Sequence, residues 1–201
     1  MRLRFALLGV GAMNSPRYRP AGVLLSYAGR RVLFDGGPGA EPGQGRLDAW
    51  LVTDERAELI REIRSLARSY GVSPRAGSYE RGALRVRPLP VAHTSHPTYG
   101  YLIEWGHRRV VWAPEFWDFP EWAAGADLLF ADAAAWTRPI RFAGNVGGHA
   151  SVRAVADEAR RLGIRRLVLA HIGRPAIRAR DAGEPPPYGE WGEEDRVYLV
   201  E

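Results

Sequence analysis

Five histidines, at positions 93, 96, 107, 149 and 171, and no cysteine limit the metal chemistry open to this chain of 201 residues. Without thiolates, a bound cation has to be held by imidazole and carboxylate, a mixed set that suits Zn, Mn or Fe. The absence of cysteine also excludes disulfides. One stretch concentrates charged groups behind an apolar strand. In LDAWLVTDERAELI, residues 47–60, a threonine is followed by Asp54, Glu55, Arg56 and Glu58. An apolar strand that ends in such a run delivers polar side chains to one sheet edge.

The elements that must position these groups are legible from pattern. LRFALLGV reads as a strand, followed by a Gly-containing loop over residues 9–22. AGVLLSYAGRRVLFDGG is a hairpin turning at Ala28-Gly29. LDAWLVT is a buried strand. The apolar spacing at 59, 60, 63, 66, 67 and 70 predicts a helix over 55–70, ended by Gly71. ALRVRPLPV, YGYLIEW and RRVVWAP predict three further strands, and ADLLFADAA another. Ser151 caps a predicted helix running to Leu162, with Gly163 ending it. RRLVLAHIG and DRVYLVE supply the last two strands. Strands mixed with helices, with polar residues at strand ends, predict a layered α/β protein. No repeat or linker divides the chain, so a single domain over residues 1–201 is expected.

Composition narrows the class. Hydrophobic residues make up 46%, which excludes a disordered chain. The net charge of +5 is compatible with an anionic substrate or with RNA. The arginines are scattered, however, and form no dense basic run. No apolar stretch is long enough to cross a membrane. The N-terminal run breaks at glycines without a cleavage-site pattern. A cytoplasmic location is expected.

Taken in order, these segments resemble the metallo-β-lactamase superfamily, most closely its tRNA 3′-processing endonuclease and small phosphodiesterase branch. LLGVGAMNSPRYRP is similar to the family's first strand and loop, and VLLSYAGRRVLFDGGPG to the hairpin ending in an Asp-Gly loop. LDAWLVT is similar to the strand that feeds the metal motif. PLPVAHTSHPTYGYLIE, RRVVWAPEF and GGHASVRAVADEARRLGIRRLVLAHIG are similar to the later motif segments. The likeness covers nearly the whole chain. It implies a four-layer αββα sandwich with a metal site at one edge of two packed sheets.

The departures from the family pattern bear on function. The motif Thr-His-x-His-x-Asp-His is matched by Thr53-Asp54-Glu55-Arg56-Ala57-Glu58-Leu59. Asp54 stands at the first histidine position, Arg56 at the second, Glu58 at the aspartate and Leu59 at the last histidine. His93 and His171 match two retained histidines, and Glu115 matches the bridging acid. In the family, two zinc ions share an attacking hydroxide. Arginine cannot ligate, so at most one divalent metal, Zn or else Mn or Fe, is expected here. The expected ligands are His93, Glu115, His171 and Asp54, with Glu58 as the alternative carboxylate. Three carboxylates beside one guanidinium are short of positive charge, which a cation or a raised carboxyl pKa would meet.

The remaining residues take expected roles from the same resemblance. Arg56 pairs with Asp54, Glu58 or Glu115, or binds an anionic or phosphorylated substrate. His149, and Glu58 if it is not a ligand, carry the chemical step, the histidine as a proton donor near neutral pH. Asp35 orients neighbouring groups. Leu59 packs in the helix core. His96 and His107 are exposed polar residues, with His96 as a replacement ligand otherwise. Asp132 is the alternative bridging acid. The aromatic EFWDFPEW lines the pocket mouth. The competing expectation is a binding or regulatory protein on the same fold, with the metal lost and Arg56 in its place. A weaker one is an RNA-binding protein that uses its arginines and tryptophans.

Overall fold

Alternation along the strands explains the layers. In β1 (Leu3–Gly9), Leu3, Phe5 and Leu7 join one apolar cluster while Ala6 and Leu8 pack against another. The same split recurs in β2 (Gly22–Tyr27), with Leu25 on one side and Leu24 on the other, and in β3 (Arg30–Asp35), with Phe34 opposed to Leu33. Both faces of this sheet are therefore buried, as period-2 strands with two apolar faces require. With β4 (Ala49–Leu51) and β14 (Val197–Val200) it forms five strands in the order β14-β1-β2-β3-β4. The computed structural model that shows this arrangement describes residues 2–201.

The second sheet has seven strands. They are β5 (Tyr79–Arg81), β6 (Leu84–Val91), β7 (Thr98–Trp105), β8 (Arg108–Ala113), β9 (Leu128–Ala133), β12 (Leu167–Ile172) and β13 (Glu190–Trp191). Their order is β13-β12-β9-β8-β7-β6-β5. Strands β8, β9 and β12 are mutually parallel, and so is β13 to β12. The inner faces of the two sheets meet in one apolar core, crossed by Phe5 against Phe130 at 6.1 Å and Phe34 against Tyr101 at 5.1 Å between ring centroids. A ribbon of β10 (Ile140–Arg141) and β11 (Gly148–His149) lies outside both sheets.

Helices cover the outer faces. Ile60, Ile63 and Ala67 of α1 (Ile60–Ala67) bury against Leu33, Trp50 and Val52 of the first sheet. Val152, Val155, Ala156 and Ala159 of α2 (Val152–Arg161) are buried, and the helix packs against β9 and β12. The expected αββα order of layers is present. Ser151 caps α2, its Oγ accepting from the Ala154 N–H at 3.3 Å. Ser151→Ala is expected to destabilise the protein by about 1 kcal/mol, read as a lower denaturation midpoint with an unchanged m-value.

Two helices differ from the sequence reading, which also did not include the short strands β5, β10, β11 and β13. The helix expected over 55–70 starts only at Ile60 and ends in a 3-10 turn over Arg68–Tyr70, with Gly71 left-handed as expected. The Asp54 carboxylate takes the Arg56 N–H at 2.7 Å, which holds the preceding residues in a turn instead. A third helix, α3 (Arg174–Asp181), follows β12 with Pro175 in its first turn. Its sequence RPAIRARD is too short and polar to show a helical stripe.

Candidate functional site

Strands that run in one direction carry their polar residues to one edge. Asp35 ends β3, and Thr53 and Asp54 follow β4. His93 follows β6, Glu115 follows β8, Asp132 lies near the end of β9, and His171 near the end of β12. At that edge opens a cleft of about 690 Å³, lined among others by Asp54, His93, His96, Glu115, His149 and His171. The backbone is bent to place two of these groups. His171 (φ 58) sits where the β12 register slips between Leu169 and Ile172, and Asp35 has φ 48. Non-glycine residues hold such conformations only when their surroundings over-determine them.

Three side chains meet at the cleft floor. His93 Nδ1 lies 2.9 Å from the Gly148 carbonyl oxygen. A carbonyl only accepts, so this nitrogen carries the proton and a neutral ring turns a lone pair at Nε2 toward Glu115. Glu115 Oε2 is 3.6 Å from that Nε2, and its Oε1 is 3.2 Å from His171 Nε2. Burial holds the His171 pKa below its ordinary value, despite the neighbouring Glu115 and Asp132. A neutral imidazole is the form in which histidine binds a metal.

His149 is held differently. Its Nδ1 lies 2.8 Å from Asp132 Oδ2, and Asp132 is fully buried. Asp132 also accepts from the Ala134 N–H at 2.8 Å and the Phe116 N–H at 3.1 Å. Burial works against both charges. Even so, their mutual attraction and hydrogen bond raise the His149 pKa above the usual imidazole range and lower the Asp132 pKa below the usual carboxylate range. The His149 ring stacks on His171 with centroids 5.3 Å apart and meets His93 edge-on at 4.8 Å. The two glycines of GGHAS make this approach possible. A Cβ on Gly147 would collide with the His93 carbonyl, and one on Gly148 with the Ile140 carbonyl.

Asp35 closes the floor from below. It accepts from the Thr53 N–H at 2.7 Å, the Thr53 hydroxyl at 3.0 Å and Trp112 Nε1–H at 2.7 Å. Burial outweighs these bonds and pushes its carboxyl up to about 7.

Several expectations need correction. Asp54, expected as a metal ligand, is instead committed to the Arg56 N–H and to His96 Nε2 at 2.8 Å. His96 is accordingly a half-buried partner of Asp54 and not an exposed loop residue. Asp132 does not bridge the two histidines at the floor, because its oxygens are taken by His149 and two backbone N–H groups. Arg56 forms no ion pair with Asp54, Glu58 or Glu115. Only its backbone N–H bonds Asp54, and its exposed side chain stands on the cleft rim with Glu58. Among EFWDFPEW, Phe116 is buried against Phe119, and none of the segment beyond Glu115 borders the cleft. Its aromatic wall is Phe142. Leu59 packs against the α1 cluster and His107 is exposed, both as expected.

Two donor pairs on the floor have the spacing of ligands to one cation. Two donors on a tetrahedral zinc with bonds of about 2.0–2.1 Å stand about 3.3 Å apart, and the Glu115–His171 and Glu115–His93 separations of 3.2 and 3.6 Å bracket that value. The lone pair of a neutral His93 facing a carboxylate calls for a proton or a metal between them. The arrangement is looser than a formed cage: among the described residues no three of His, Asp and Glu are drawn together as one. Leu59 offers no donor where the family motif has its last histidine, and Asp54 is bonded to the Arg56 N–H and His96.

Comparison with known proteins agrees with this architecture. No curated protein matches the chain by sequence. Among solved structures it is similar to a diphosphatase from the PhnP family, at 19% identity over 100% of this chain and 98% of that one, with a TM-score of 0.74. It is also similar to the metallo-β-lactamase fold protein YhfI from Bacillus subtilis, at 16% identity over 99% of each chain, with a TM-score of 0.76. A third likeness is to the short form of human tRNase Z (ELAC1), at 15% identity over 97% of this chain and 98% of that one, with a TM-score of 0.70. At these identities the likeness is one of fold. The family model of the beta-lactamase superfamily domain matches residues 42–172, well over half of the sequence and nearly all of the cleft floor, and the chain therefore belongs to the metallo-β-lactamase superfamily.

Proposed function

We propose that the chain is a hydrolase of a small anionic ester, a phosphodiester or related phosphorylated compound, that uses at most one divalent cation. The observation that carries this reading is the buried Asp132–His149 pair, whose imidazole overlies the His93, Glu115 and His171 floor. His93, Glu115 and His171 would hold the cation, with Zn the best match to a set of two imidazoles and one carboxylate and Mn or Fe as alternatives. When bound, such an ion supplies a water acidic enough to attack at neutral pH. Asp132 fixes the His149 tautomer and favours its protonated form, so that Nε2 delivers a proton to the departing oxygen. Arg56 and Arg174, both exposed on the cleft lining, attract the anionic group. Glu58 on the same rim is given no chemical step. Among the described residues no helix is long and apolar enough to cross a membrane.

Metal analysis and turnover test this together. Chelator-stripped protein reloaded with Zn, Mn or Fe is expected to bind one equivalent per chain and to hydrolyse bis(p-nitrophenyl) phosphate. The paired substitutions His93→Ala and His171→Ala should abolish both. Two bound equivalents would sink the one-cation site. No metal and no turnover under any loading would leave the binding-protein reading in its place.

A further inference from the structure

A second cavity of about 250 Å³ opens beside the cleft and shares Glu115 and His171 with it. Its walls are built from Met13, Tyr18, Pro20, Leu59 and Ile63, and its inner end from Asp35 and Thr53. Leu59 stands where the family motif has its last histidine. The space beside Glu115 that a second cation's ligand would border is therefore bounded by hydrocarbon.

Charge separates the two cavities. The cleft carries Arg56 and Arg174 beside Asp54, Glu58 and Glu115, whereas the side pocket has Asp35 and Glu115 and no arginine. An anion moved past Glu115 into the pocket would lose its water and find no arginine to pair with, so the pocket favours uncharged apolar groups. Its volume falls below the range of about 300–1,000 Å³ typical of whole drug-sized ligands and suits one ring. A thioether at Met13 and a phenol at Tyr18 are favourable neighbours for an aromatic ring.

We propose that this pocket binds a neutral aromatic ester group of the substrate, its ring against Leu59 and Ile63, while the anionic group lies in the adjoining cleft. The pairing of ring and anion in one molecule rests on the hydrolase reading above. The ring site does not.

Two ligands without a cleavable bond, and one without a charge, test the proposal. Benzyl alcohol is expected to shift the methyl NMR signals of Leu59, Ile63 and Met13, and Ala57→Phe, which fills the wall common to both cavities, is expected to abolish those shifts. Phenylphosphonate should bind about tenfold more tightly than methylphosphonate, from the apolar area of the ring. In Leu59→Glu and in Ala57→Phe the two phosphonates should bind equally. Ala57 lies in the turn before α1 and is only half-buried, so this variant tests the pocket even if Leu59→Glu fails to fold. Absence of the methyl shifts, equal phosphonate affinities in the parent protein, or a preference surviving both substitutions overturns the proposal. If neither phosphonate binds but benzyl alcohol still shifts Leu59, the ring site stands and the phosphoester reading alone falls.

Discussion

His149→Ala is expected to lower the rate of ester hydrolysis by about 10²–10⁴-fold, the usual contribution of a positioned proton donor. The reason is geometric: its Nδ1 is tied to buried Asp132, which leaves Nε2 as the proton-bearing nitrogen on the cleft side. A merely structural histidine would show its loss in stability, so kcat should fall far more than the melting temperature. The sign of the pH effect follows from the raised His149 pKa. A proton donor works while protonated, so the rate falls as pH rises through that value. Asp132→Asn keeps an acceptor for Nδ1–H but removes the charge that favours the imidazolium. The alkaline fall of the profile should therefore move to lower pH. An unmoved profile in Asp132→Asn, or full activity in His149→Ala, removes His149 from the chemistry.

Asp35→Ala is expected to destabilise the fold by about 3–7 kcal/mol. Two buried donors, the Thr53 N–H and Trp112 Nε1–H, lose their acceptor at about 1–3 kcal/mol each. Alanine at φ 48 adds about 1 kcal/mol of left-handed strain. The parent protein should also carry a pH signature. Burial raises the Asp35 carboxyl from 3.8 to about 7, so between these values the native state holds a proton that the unfolded chain has released. Stability from this group is therefore greatest below about pH 4 and declines as pH rises toward about 7, by up to about 4 kcal/mol at 1.36 kcal/mol per unit. Asparagine tolerates the left-handed backbone but does not titrate. Urea unfolding of Asp35→Asn from pH 4 to 8 should lose this slope. The same slope in both proteins would assign it elsewhere.

Much of the architecture was legible because it rests on period-2 patterns and turn chemistry. The strands around Phe34, Trp50 and Phe130 read as strands because their apolar residues alternate or run unbroken. Ser151 announced the start of α2 by residue type alone. His93, Glu115 and His171 could be gathered from motif order, since each sits at the end of a strand whose direction the order fixes. The start of α1 was hidden because propensity and spacing extend back to residue 55, while one side-chain bond from Asp54 overrides them. That bond, and the one from His96 across 42 positions, depend on rotamers and loop paths that no local pattern encodes. Asp132 did leave a signal. A lone acid inside LLFADA, on a strand buried throughout, has to be paired, and the only open question was with what. The inward turn of Phe116 and Phe119 was not readable, because an aromatic-rich loop looks the same whether it lines a mouth or plugs a core.

During synthesis the cleft cannot close until β12 has emerged and paired with β9. The hairpins of β1 to β3 and β6 to β8 involve near neighbours in the chain and form early, but His171 arrives on the last long strand of the second sheet. Until then, the buried Asp132 carboxylate and the apolar edge of β9 stand uncovered, and Glu115 lacks its closest imidazole. Such late, long-range pairing is slow and leaves sticky edges exposed. A nascent chain stalled before residue 167 thus carries nearly all of the cleft-floor groups without the partner that completes them, and that is the stage at which it most needs shielding from its neighbours.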